Sequence, residues 1–168
     1  MKEMVSIFLI HNSKLTTINW NKWIKLCFDF AENKKIKFSH IGIKSESLNP
    51  NKLRTFKRYE AKMLKCINSN EIIDYIELLY LPEEFVQAVF DFKVNMTLAN
   101  DYVEVTMEKD MFDLIDYKKI IDKIGKIVNI INGEVNILPN DEVFNYNVNK
   151  ILQRTSYDCD KRTNIMEI

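Results

Sequence analysis

Hydrophobic positions along the chain change period several times, and each change predicts an element. The run VSIFLI, Val5 to Ile10, is apolar almost throughout and predicts a buried first strand. In TINWNKWIKLCFDFAEN the period lengthens: Trp20, Trp23, Ile24, Cys27 and Ala31 fall on one helical stripe, with Thr17 or Asn19 as N-cap. IKFSHIGIK then sets Phe38 and His40 against Ile41 and Ile43, apolar residues on both faces, and predicts a central strand. After a loop marked by Pro50, a second helix is predicted from Leu53 to about Ile67. Its apolar stripe is Leu53, Phe56, Met63, Leu64 and Ile67.

NEIIDYIELLYLP fits a helix or a strand, and a strand over Tyr75–Leu81, closed by Pro82, is the preferred reading. Next comes the clearest pattern. In VFDFKVNMTL, Phe90, Phe92, Val94, Met96 and Leu98 alternate with Asp91, Lys93, Asn95 and Thr97. The turn AND follows, and DYVEVTMEKDMFD returns as the antiparallel partner, with Val103, Val105 and Met107 on its core face. LIDYKKIIDKIGKIVNIINGE predicts a third helix. Tyr117, Ile120, Ile121, Ile124, Val128 and Ile131 form its stripe, Asp113 or Asp116 its N-cap and Gly133 its stop. EVNILP is a short last strand. The tail beyond Pro139 is polar, with a helical turn near Val148–Gln153 and a loosely held end over residues 155–168.

The order β-α-β-α-β-β-β-α-β predicts an α+β fold: a mixed, largely antiparallel sheet of about five to six strands with two to three packed helices. A chain of 168 residues reads as a single domain, large enough to need no metal or disulfide staple. No apolar run could cross a bilayer, and the N-terminus lacks a secretory cleavage site. Three scattered cysteines, Cys27, Cys66 and Cys159, fit reduced thiols in the cytoplasm. Ile, Lys and Asn make up more than a third of the chain, a bias of AT-rich genes.

Charge changes the picture more than composition does. Residues 1–69 hold 14 basic and 5 acidic side chains, residues 70–117 hold 2 and 12, and the remainder 8 and 7. A formal net charge of zero therefore hides a dipolar chain. Helix capping accounts for Asp113 and Asp116. It leaves Glu104 and Glu108, about 7 Å apart on one strand face beside Tyr102 and Thr106. With Asp91, Asp101 and Asp110 flanking them, these four are the candidate partner-binding surface, facing a basic protein.

Other chemistry finds little support. Three glycines, Gly42, Gly125 and Gly133, are too far apart for a phosphate-binding loop. His11 in HNS and His40 in HIG lack the paired hydroxyls of two-histidine phosphoesterases. The scattered Cys and His residues show no zinc spacing. Neither a catalytic residue nor a metal or cofactor is predicted, and the chain is not read as an enzyme. The second helix interleaves Arg54, Lys57, Arg58, Lys62 and Lys65 with Phe56 and Tyr59, which gives the alternative reading of a nucleic-acid-binding accessory protein. Direct nucleic-acid binding is disfavoured, because the acidic segment opposes attraction to phosphate.

RTFKRYEAKMLKCINSNEIIDYIELLYLPEE leading into FDFKVNMTLANDYVEVTM, within residues 35 to 138, resembles immunity proteins of bacterial polymorphic-toxin and contact-dependent growth-inhibition systems. The resemblance carries no motif, so it transfers no residue roles. It implies a cytoplasmic inhibitor that binds one cognate toxin domain, often a nuclease, and blocks its active site or substrate surface.

Overall fold

The computed structural model describes residues 2–49, 53–151 and 163–168. Strand β1 (Glu3–His11) lies inside one eight-stranded sheet. The other strands are β2 (His40–Ser45), β3 (Arg54–Thr55), β4 (Ile73–Tyr80), β5 (Val94–Ala99), β6 (Tyr102–Glu108), β7 (Ile130–Pro139) and β8 (Thr163–Glu167). Their order is β3-β2-β4-β5-β6-β1-β7-β8, and among the described residues every pairing is antiparallel. The α+β class is as expected; the sheet exceeds the expected five to six strands.

One face of the sheet is apolar. Val5, Ile7 and Leu9 of β1, Val103, Val105 and Met107 of β6, and Met96 and Leu98 of β5 are all buried there. Helices α1 (Thr17–Lys34), α2 (Phe56–Asn68) and α5 (Tyr117–Gly125) cover this face, and Trp20, Trp23, Cys27, Met63 and Ile124 join the same core. Each fully buried aliphatic side chain contributes about 1.5–3 kcal/mol, so this layer carries most of the folding free energy. Thr16, not Thr17 or Asn19, is the N-cap of α1; its amide donates to Asn19 Oδ1 at 2.9 Å.

The opposite face is covered by α6 (Asn140–Ile151), which the sequence pattern reduced to a turn. Val143, Tyr146 and Asn147 point inward from it. Met4, Leu79, Leu81, Phe92 and Leu138 form a smaller apolar cluster with Val143 and Tyr146. Two short turns, α3 (Ala88–Asp91) and α4 (Lys109–Phe112), flank the β5–β6 hairpin.

Other expectations are refined or corrected. β2 is paired on both sides as expected, but among the described residues its outer partner β3 covers just His40 and Ile41, and its Lys44 is exposed. β5 begins at Val94, because the Asp91 carboxylate accepts the amides of Val86 and Gln87 at 2.8 and 2.7 Å and curls residues 88–91 into α3. The side chain of Phe90 lies outside the described residues. The third helix stops at Gly125; IINGEVNILP pairs along β1, so Gly133 sits mid-strand and Ile131 is exposed. Asp116 is its N-cap, accepting from Lys119, whereas Asp113 pairs with Lys109. Within the tail, β8 pairs with β7 as an edge strand, while residues 152–162 lie outside the described residues.

Candidate functional site

The strand face proposed as a partner surface is largely interior. Glu104 and Thr106 are 7% and 0% exposed, and Tyr102 and Glu108 are half-buried. α6 is the reason: it lies over this face and answers its polar groups. Glu104 Oε1 accepts from Asn147 Nδ2 at 2.6 Å, Thr106 Oγ1 at 2.8 Å and Asn95 Nδ2 at 3.3 Å. Ser6 donates to Asn147 Oδ1 at 3.2 Å, and Asn136 donates to the Tyr146 hydroxyl at 2.7 Å. Near the helix end Lys150 pairs with Glu134 and lies over the Tyr146 ring. Burial raises the Glu134 carboxyl, but hydrogen bonds with Lys150, Tyr146 and Asn136 outweigh it and hold the group below its ordinary range.

Strand register brings a second carboxyl to the same place. Glu77 on β4 pairs with Thr97 on β5, which pairs with Glu104 on β6. The two glutamates share a face with one strand between them, about 10 Å apart at their Cα atoms. Asn95 hydrogen-bonds both. Burial, reinforced by the Glu104 charge and opposed by the Asn95 bond, pushes Glu77 up to about 7. Burial also pushes Glu104 up to about 7, against the bonds from Thr106, Asn95 and Asn147. Tyr102, stacked on Phe8 at 5.3 Å, is raised by burial and by these same carboxylates.

Between this face and α6 lies a cleft of about 360 Å³, with Glu77 and Glu104 in its lining beside Asn95, Thr97, Tyr75 and Tyr102. Phe144 and Ile151, both partly exposed, stand at its edge. Such a cleft can hold a cation, or keep and release a proton near neutral pH. Sequence reasoning missed Glu77, Asn95 and Asn147. The signal was present in β4, where a glutamate interrupts an otherwise apolar IDYIELLY.

The remaining candidate residues divide between the two ends of the hairpin. Asp101 is exposed at the β5–β6 turn. Asp91, Glu108 and Asp110 lie at the far end, where acidic groups from several elements converge. β1 brings Glu3; the β4–β5 connection brings Glu83, Glu84 and Asp91. The end of β6 with α4 brings Glu108, Asp110 and Asp113, and the start of α6 brings Asp141 and Glu142. Lys2 fastens these elements together: its Nζ meets Glu108 at 2.7 Å and the Phe92 carbonyl at 3.4 Å, and its own carbonyl accepts from Asn140. Among the described residues nine carboxylates thus gather at this end of the sheet, with Lys2, Lys93 and Lys109 between them and Lys34 reaching the Leu114 carbonyl beside Asp113.

The histidines stay apart, with β4, β5 and β6 between their strands, more than about 19 Å. Burial lowers both. His11 is fixed between the Ala99 carbonyl and the Ser13 amide. Among the described residues no three Cys, His, Asp or Glu side chains are arranged to hold a metal. No helix there is long and apolar enough to cross a membrane. Comparison of the chain with protein families, curated proteins and solved structures returns no match.

Proposed function

We propose that this chain is a bacterial immunity protein, acting in the cytoplasm, that neutralises a cognate toxin domain by covering a basic surface on it, most simply that of a nuclease. The observation that carries the reading is the acidic end of the sheet, where carboxylates from β1, the β4–β5 connection, β6 with α4, and α6 converge. Asp91, Glu108 and Asp110 belong to that surface. Glu104 and Thr106 act from inside, holding α6 on the sheet so that Asp141 and Glu142 join the rim.

A surface of this kind steers a basic partner and fixes its orientation, and acts mainly on the association rate. The test is co-expression with the toxin domain encoded beside this gene. The wild-type chain restores growth and binds the purified domain. Reversal to lysine at Glu83, Glu84 and Asp110 slows association at least about tenfold and flattens its salt dependence. Lack of binding by the wild-type chain removes the immunity reading; equal association by the reversed variant removes this surface.

A second reading rests on the outward face of α2, where Lys57, Arg58, Lys62 and Lys65 are all exposed. This face suits an accessory protein on nucleic acid. Tyr59 is already covered by Arg54 and Lys62, at 5.1 and 4.7 Å from its ring centre, so it offers no open platform for a base. Filter binding of single-stranded RNA and duplex DNA at low salt decides the matter; no retention disposes of it.

A further inference from the structure

The cleft beneath α6 contains two carboxylic acids, and among the described residues none of the sixteen that line it is lysine, arginine or histidine. Protein interiors normally balance a carboxylate with a cation or a dense set of donors. Glu104 has three donors, all on Oε1. Among the described residues Glu77 has one donor, the Asn95 amide, which it shares with Glu104. Its carboxyl lies over Gly42, where a Cβ would stand 2.6 Å from Oε2, so the floor below it is bare backbone.

We propose that the cleft is a binding site for a small organic cation, an amine or amidine with a short hydrocarbon body, whose charged head sits between Glu77 and Glu104.

The surroundings match both parts of such a ligand. Tyr75 and Tyr102 line the cleft with the carboxylates, and aromatic faces attract cations. Phe144, Val148 and Ile151 give α6's side of the lining an apolar surface for the body. The volume of about 360 Å³ falls in the range of small-molecule sites. Two carboxylates backed by amides and tyrosines suit an ammonium or amidinium group with several N–H donors better than a bare metal ion, which needs a tighter set of ligands. This site is distinct from the acidic end of the sheet, and its occupancy does not depend on the immunity reading.

Calorimetric titration of the full chain with tyramine, agmatine and 1,5-diaminopentane tests the proposal. 4-Hydroxyphenylacetate, with tyramine's body and the opposite charge, is the control. At about pH 8, above the value of about 7 to which both carboxyls are pushed, at least one amine binds and raises the melting temperature, and the control does neither. Glu77→Gln and Glu104→Gln each weaken that amine at least about tenfold. Gly42→Ala keeps both charges but displaces the Glu77 head group, and weakens it too. Near-UV circular dichroism confirms the variants fold; should Glu104→Gln unfold, Glu77→Gln and Gly42→Ala decide alone. The proposal is overturned if no amine gives heat at about 10 mM, if the control binds equally, or if the variants bind like wild type.

Discussion

Asn147 on α6 donates its side-chain amide to Glu104 Oε1 on β6 across 2.6 Å, joining residues 43 positions apart in the chain. The same Asn147 accepts from Ser6 on β1. One asparagine therefore ties the helix to two adjacent strands. Asn147→Ala leaves a buried carboxylate short of a donor and a serine short of an acceptor, a loss of about 1–3 kcal/mol. Hydrogen exchange should show α6 losing protection before the rest of the fold. Uniform loss across the sheet and helix would contradict this anchoring role.

The glutamate pair makes stability depend on pH. In the folded protein both carboxyls are pushed up to about 7, against an ordinary value of 4.5. Between those values the folded state binds more protons than the unfolded chain. The contribution is therefore complete below about pH 4.5 and is lost as pH rises through 7. The titratable groups facing the pair are Tyr75 and Tyr102, both raised. β2 contributes Gly42, β5 Asn95 and Thr97, and α6 Asn147, none of which titrates. Urea denaturation should give a higher midpoint near pH 5 than near pH 8. The double variant Glu77→Gln, Glu104→Gln should flatten that slope.

Two glycines should respond differently to alanine. At Gly133 a Cβ would come within 2.7 Å of the Phe8 carbonyl and 3.1 Å of Leu9 Cα, both backbone atoms of the adjoining strand. Gly133→Ala should cost about 1–3 kcal/mol. At Gly42 the first obstacle is the movable end of Glu77, so Gly42→Ala should cost less, and less still in a Glu77→Ala background. A thermodynamic cycle over these variants measures both effects.

Helix α1 ends at Lys35, whose φ of 52° is left-handed. Its amide still donates back into the last turn of the helix. Glycine is the usual residue at such a position. Lys35→Gly should stabilise the protein by about 0.5–1 kcal/mol, as released strain exceeds the entropy glycine adds to the unfolded chain. A lowered urea midpoint would count against strain at this cap.

Charge reversal at Glu83, Glu84 and Asp110 should leave folding stability within about 0.5 kcal/mol for each substitution, because all three are exposed. Thermal melts of the variants would then allow any loss of toxin binding to be assigned to the surface itself.

The hairpin was legible because period-two alternation is a strong signal, and Val103, Val105 and Met107 are core as it indicates. Its other face was misjudged for a physical reason: alternation reports that two faces differ in chemistry, not that the polar one meets water. Glu104, Thr106, Asn95 and Thr97 are polar and buried together, satisfied by one another and by a helix. That helix was itself obscure. NDEVFNYNVNKI carries three inward residues, and one of them is Asn147, so its apolar stripe is thin. IINGEVNILP continued the helical spacing of the preceding segment, and only its partner β1, far away in sequence, makes it a strand. The cleft required knowing that β4 and β6 flank β5, a relation absent from any local window.

The two glutamates of the cleft also bear on how the sheet finds its alignment. Side chains alternate across a strand, so sliding β4 or β6 by one residue would drive Glu77 or Glu104 into the layer occupied by Trp23, Met63 and Ile124. Among the described residues that layer is built of apolar side chains, and burying an unmatched carboxyl among hydrocarbons is among the largest penalties a chain can meet. A mispaired sheet would thus be rejected far more strongly than valine or threonine at those positions would reject it. Groups that weaken the finished protein at neutral pH would, during folding, select one strand alignment over its neighbours.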